Sequence, residues 1–160
     1  MIFLTVGTEY PFDRLLRSVD EAIPHTLTSE PVFAQIGESK YRPNNMEYVT
    51  KLSKSDYDRK MIESRGVISH AGIGTIILAL ELEKPLLVMP RLREYREHVN
   101  NHQVRTARRF EQLGYVIVAY RTQDLLYYIS ILHTFRPKCR LAEPEKIVKY
   151  IKTYLEGITR

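Results

Sequence analysis

Gly66-Val-Ile-Ser-His-Ala-Gly-Ile-Gly-Thr75 passes from a short apolar run, through two glycines, into a segment with no further breaker before Glu83. The reading is a strand over Gly66–Ser69, a glycine loop over His70–Gly74 and a helix to Glu83. Leu86-Leu-Val-Met89, closed by Pro90, is the next strand. A strand, a helix and a second strand so close together form a crossover unit, which belongs to a parallel sheet.

The flanks repeat the pattern. Upstream, Ile2-Phe-Leu-Thr-Val6 stops at Gly7 as a buried strand would. Apolar residues then recur at helical spacing at Phe12, Leu15, Leu16, Val19 and Ile23, and Pro24 is expected to end that helix. Val32–Ile36 reads as a second strand ending at Gly37, Glu47–Leu52 as a third, and Ser55–Ser64 as a polar helix. Downstream, a long charged loop from Pro90 to about Val99 precedes a helix from near Asn100 to Leu113. Tyr115–Ala119 is a last strand and Asp124–His133 a helix. A final helix is expected from Pro144 to about 158, with an apolar stripe at Ile147, Ile151, Tyr154, Leu155 and Ile158. This stripe either packs on its own sheet or reaches a partner. Strands alternating with helices imply an α/β, Rossmann-like three-layer sandwich with a mostly parallel sheet. With 160 residues and no linker, repeat or low-complexity tract, one domain over 1–160 is expected.

Composition narrows the class. At 44% apolar and 27% charged residues the chain is globular rather than disordered. The lone Cys139 excludes an intramolecular disulfide and a multi-cysteine zinc site. The sequence has no apolar run of the ~20 residues a bilayer requires and no secretory leader pattern at Met1–Gly7, so a cytoplasmic location is expected. Of the net charge of +5, a local +4 falls between Arg91 and Arg109 and another +4 between Arg136 and Arg160, leaving about −3 elsewhere. Such surfaces suit an anionic partner or are merely solvated. No nucleic-acid motif accompanies them, and nucleic acid is not expected as a partner.

Ligands of an open parallel sheet bind beyond the carboxyl ends of its strands, so the loops after the strands hold the candidates. Gly72 and Gly74 either make a tight turn or let a ligand approach the backbone, where the start of the following helix favours an anion. Thr75 adds a hydroxyl, and Gly7 and Thr8 after the first strand face the same place. The loop is neither a dinucleotide fingerprint, lacking the third glycine, nor a Walker loop, lacking Gly-Lys-Ser/Thr. A third cluster, Glu97, His98, Asn101, His102 and Gln103, suits a polyhydroxylated ligand. His98 and His102 have the spacing of a helical metal pair, but no third ligand is evident and no metal is assigned. His25 and His133 read as structural or surface residues.

Taken together, Thr5-Val-Gly-Thr8 with Pro11–Leu15, Ile68–Thr75, Lys84–Arg91, Glu97-His98 and Asn101-His-Gln103 resemble the small subunit of two-part glycosyltransferases. These are the eukaryotic enzyme that adds the second N-acetylglucosamine to the dolichol-linked precursor and its bacterial counterparts in capsule and exopolysaccharide synthesis. The family is similar to the C-terminal half of the GT-B enzyme that makes lipid II. The resemblance covers about residues 1 to 120 and implies a UDP-sugar donor, no cofactor, and a lipid-linked saccharide acceptor held by a membrane-associated partner that recruits this chain to the membrane. It implies a diphosphate site at Gly7, Thr8, His70, Gly72, Gly74 and Thr75, and sugar contacts at Asn101, His102 and Gln103. For inverting transfer, the helix start at Gly74 would stabilise the leaving UDP, assisted by His70 or an arginine. The base would be His98, Glu97 or a group of the partner. One departure stands out: Leu78 occupies the place where many relatives carry an acidic ribose ligand, and Glu81 lies one turn on. The rival reading is a subunit that binds no sugar nucleotide and only docks.

Overall fold

The computed structural model describes residues 1–26 and 29–138; the helix expected over 144–158 and Cys139 lie outside the described residues. Six strands form one sheet: β1 (Ile2–Thr5), β2 (Val32–Gln35), β3 (Glu47–Val49), β4 (Gly66–His70), β5 (Leu86–Met89) and β6 (Ile117–Val118). Their order is β3-β2-β1-β4-β5-β6 and every pairing is parallel. The helices are α1 (Asp13–Ala22), α2 (Lys54–Glu63), α3 (Ile73–Glu81), α4 (His102–Gln112) and α5 (Leu125–Ile131).

The period of two along each strand divides the core. Ile2, Leu4 and Val6 point to the face covered by α1 and α5, where they meet Leu15, Leu16, Val19, Leu125 and Ile129. Phe3, Val67 and Val88 point to the other face, against Met61 of α2, Ile76 and Leu80 of α3, and Ala107 and Phe110 of α4. Both faces are thus covered, which is why the strands are continuous apolar runs. The three layers match the sequence reading, and the sheet is parallel throughout.

Local chemistry moves some boundaries. As expected, the α-helix ends before Pro24: α1 stops at Ala22 and is followed by a 3-10 turn, Ile23–His25, with the proline in its first turn where a missing N–H costs nothing. The outer strands are shorter than their apolar runs, with only Glu47–Val49 and Ile117–Val118 paired, because an edge strand has a neighbour on one side alone. Ser53 caps α2 by accepting from the Asp56 N–H at 3.1 Å.

The strand order reverses between β1 and β4. Chain leaving β1 travels toward β2 and β3, whereas chain leaving β4 travels toward β5 and β6. The two connections diverge, and a crevice opens between them at the carboxyl ends. Gly7 follows β1 there, and Ala71–Gly74 follow β4.

Candidate functional site

The crevice is a cleft of about 320 Å³ lined by Gly7, Thr8, Glu9 and Tyr10 after β1, His70 at the end of β4 with Gly72, Gly74 and Thr75 beyond it, and Arg91, His98, His102 and Gln103 after β5. A larger concavity of about 720 Å³ lies at the opposite end of the sheet, by Ser64, Arg65, Lys84 and Pro85. It faces the amino ends of the strands, and its Lys84 ammonium is spent on the carbonyls of Ile62 and Ser64. The carboxyl-end cleft is the one that gathers the chemistry predicted from sequence.

Its three glycines have different duties. Gly7 has φ +78°, a left-handed conformation that other residues rarely adopt, and a Cβ on it would lie 3.0 Å from the His70 ring. A Cβ on Gly72 would lie 2.2 Å from His70 Nε2. These two residues therefore make room for the imidazole. Around Gly74 a Cβ would meet nothing within 4 Å: this glycine keeps the cleft itself open. It sits in the first turn of α3, whose ladder begins with the bond from Ile76 N to the Gly72 carbonyl at 3.1 Å. The N–H groups of Ile73, Gly74 and Thr75 precede that bond and have no acceptor one turn back, so the helix start carries positive potential. Thr75 stands beside them, its hydroxyl 3.2 Å from that of Tyr57 on α2.

His70 supplies no charge. Burial foremost, with Arg91 and His98 adding repulsion, depresses its pKa to about 3, so the imidazole is neutral at physiological pH. Ser69 Oγ donates to the Thr5 carbonyl at 3.0 Å and lies 3.3 Å from His70 Nδ1, which favours the tautomer with the proton on Nδ1. Of the two aids suggested for the leaving group, His70 and an arginine, the arginine alone is cationic. A native pKa below the unfolded value means that acid favours the unfolded state. His70 should therefore lower stability progressively as pH falls from about 6.5 toward 3 by on the order of 1 kcal/mol per unit. Denaturant titrations of wild type and His70→Gln across that range should diverge in slope; parallel curves would contradict a buried neutral imidazole.

The loop between β5 and α4 holds the largest rearrangement of expectations. Glu97, proposed as a base, is buried and accepts two bonds from Arg14 of α1, from Nε and Nη2, both at 2.7 Å, and a third from the Leu92 N–H at 2.9 Å. The same guanidinium donates to the Pro90 carbonyl at 3.1 Å and lies 4.9 Å from the Tyr95 ring centre. Glu97 is the anchor of the loop and does not line the cleft. Asn101 is turned away too, its Oδ1 accepting from the Arg93 N–H at 2.7 Å. His98 and His102 do line it, their rings edge to face at 4.5 Å, with Tyr10 packed 4.9 Å from His98. Burial first lowers both imidazole pKa values; the charge of Arg91 adds to this at His98, and that of His98 at His102. Both are bases rather than cations near neutrality. His98 Nδ1 is buried without a partner. Gln103 is buried at the cleft wall, and its Oε1 accepts from the Arg91 N–H at 3.0 Å.

Two residues were missed from sequence. Arg91 was counted only as surface charge but is buried at the cleft wall, donating through Nη2 to the carbonyls of Val6 and Tyr10. Glu9 is the only carboxylate among the described residues that line the cleft; its position directly after Thr8 was the available signal. Leu78 packs against the core of its own face and Glu81 is exposed, and neither lines the cleft.

Comparison with known proteins gives a consistent result. Residues 1–153 match the glycosyltransferase family 28 C-terminal domain. Over 83 residues, 51% of this chain and 27% of the relative, the sequence is 39% identical to the UDP-N-acetylglucosamine transferase subunit ALG13 of Candida albicans. The fold is similar to an NMR structure of ALG13, with TM-score 0.58 and 22% identity over 88% of this chain and 89% of that one. It is also similar to MurG of Acinetobacter baumannii, with TM-score 0.62 and 16% identity over 85% of this chain and 42% of that one. The match thus spans 27% of the Candida protein and 42% of the Acinetobacter one.

Proposed function

The chain belongs to the glycosyltransferase family 28 C-terminal domain family, and from that premise we propose that it is the donor-binding subunit of a two-component glycosyltransferase. In this reading it holds a UDP-sugar, and a membrane-associated partner presents a lipid-linked saccharide on the cytoplasmic face. The observation that carries the reading is the open start of α3 at the strand-order reversal, where Gly74 leaves the backbone N–H groups bare beside a polar cleft. A diphosphate fits that place, with Gly7, Thr8, Gly72 and Thr75 around it. The sugar then lies toward His102 and Gln103.

Transfer with inversion needs charge stabilisation of the departing UDP and a base for the acceptor hydroxyl. The α3 dipole and its free N–H groups serve the first need without reorganisation. His98, neutral and on the cleft wall, serves the second unless the partner supplies the base. Arg14 and Glu97 position His98 by pinning the loop that carries it.

Among the described residues no helix is long and apolar enough to cross a membrane. Half of a GT-B cleft cannot exclude water from the reaction. The isolated chain is therefore expected to bind UDP and yet turn over little, with activity appearing when the membrane-associated partner is added to a UDP-sugar and a lipid-linked acceptor. Full turnover by the isolated chain would contradict the two-component reading, and absence of UDP binding would favour a docking subunit.

A further inference from the structure

Resting on the donor-site reading above, we propose that Arg91 is the charge sensor of the cleft: a buried guanidinium without a carboxylate partner that binds the diphosphate and sets the preference for UDP over uridine. Arg91 is 3% exposed, yet no carboxylate among the described residues lies within ion-pair distance of it. Its Nη2 donates to two backbone carbonyls, Val6 and Tyr10, which satisfy hydrogen-bonding capacity but carry no compensating charge. Its Nε has no hydrogen-bond partner at all. The Phe12 ring lies 5.0 Å from the guanidinium carbon and supplies only a weak counter-field.

The neighbouring charges do not cancel it. Glu97 is already paired with the half-buried Arg14 through two bonds of 2.7 Å, so this side of the cleft holds two guanidinium groups against one buried carboxylate. Glu9 is an exposed rim residue. The imidazoles that share the cleft have pKa values depressed first by burial and then by the charge of Arg91. Burial brings the pKa of Arg91 itself down to about 10, although the more distant Glu97 and Glu9 carboxylates pull it the other way. A fold that keeps a buried cation without a direct ion-pair partner carries a free-energy cost. An anionic ligand in the cleft offsets that cost. The same wall carries the bare N–H groups of α3, so backbone dipole and side-chain charge converge on one ligand.

The sequence alone does not mark this residue, because Arg91 is one of six arginines in the segment from 91 to 109. Only its inward placement separates it from the solvated ones. Its role is specific to charge: the uracil and ribose would be held by other groups, and their binding should not depend on Arg91.

The test compares ligands that differ only by the diphosphate. Affinities of UDP and uridine are measured by NMR titration for wild type and Arg91→Gln. The expected result is a loss of at least about tenfold for UDP in the variant, with uridine within about threefold, since a charge-assisted hydrogen bond is being removed. Should Arg91→Gln fail to fold because the Val6 and Tyr10 carbonyls lose their donor, the wild-type Arg91 Nε–H resonance decides. It should shift on adding UDP and stay in place with uridine. Equal losses for both ligands in a folded variant, or an Nε–H signal indifferent to UDP, would overturn the assignment of Arg91 while leaving the donor site intact. A wild-type protein that binds no UDP would overturn both.

Discussion

Gly74→Val should leave the protein folded and lower its affinity for UDP by at least about a hundredfold, ~2.7 kcal/mol. The expectation comes from what surrounds that position. A Cβ on Gly74 meets no other part of the protein within 4 Å, so the valine side chain starts in open space and projects into the cleft above the start of α3. Within a helix valine has the better propensity, since glycine costs about 1 kcal/mol against alanine and valine less. The neighbouring glycine should behave in the opposite way. Gly72→Ala sets a methyl group 2.2 Å from His70 Nε2, so the buried imidazole must move and the melting temperature should fall before any ligand is added. Calorimetric titration with UDP beside thermal melts separates the two. Unchanged UDP affinity in a folded Gly74→Val would remove this loop from the site.

The second large effect is expected at Glu97, and it should be an effect on stability. Replacing Glu97 by alanine strands the Arg14 guanidinium, half-buried against Pro90 and Tyr95, and leaves the Leu92 N–H without its acceptor. Breaking a buried ion pair from one side costs about 3–5 kcal/mol. Chemical denaturation should register that loss, and Arg14→Ala should register a similar one. The double variant should lose much less than the two losses combined, because the residues act as one unit. A catalytic base would behave otherwise: Glu97→Ala would then unfold at the wild-type denaturant concentration and lose turnover alone. That outcome would return Glu97 to the chemistry.

These two residues also mark where sequence reading succeeds and where it stops. The three-layer fold was legible because each inner strand is buried on both faces and so appears as an unbroken apolar run, Ile2–Val6 and Leu86–Met89 among them. The glycine loop was legible because its neighbours in space are its neighbours in sequence. The charged loop from 91 to 101 was not. It offers arginines, glutamates and asparagines in alternation, and which of them turn inward is decided by Arg14, 83 residues away in the chain, and by the carbonyls of Val6 and Tyr10. Glu97 was therefore taken for a cleft residue and Arg91 for a surface one. Asn101 followed the same pattern, since its side chain serves the Arg93 backbone instead of a ligand. Pro24 was legible as a stop signal: α1 ends at Ala22, and the 3-10 turn that follows takes the proline at its start.

The proposed donor site makes one demand that can be read directly from the whole molecule. Titration of UDP into the isotopically labelled chain should shift the backbone amide signals of Gly7, Gly72, Gly74 and Thr75 together, saturating with a single dissociation constant, while signals at the opposite end of the sheet around Ser64 and Lys84 stay in place. Shifts confined to Ser64, Arg65 and Lys84, or no shift anywhere at millimolar UDP, would contradict the account.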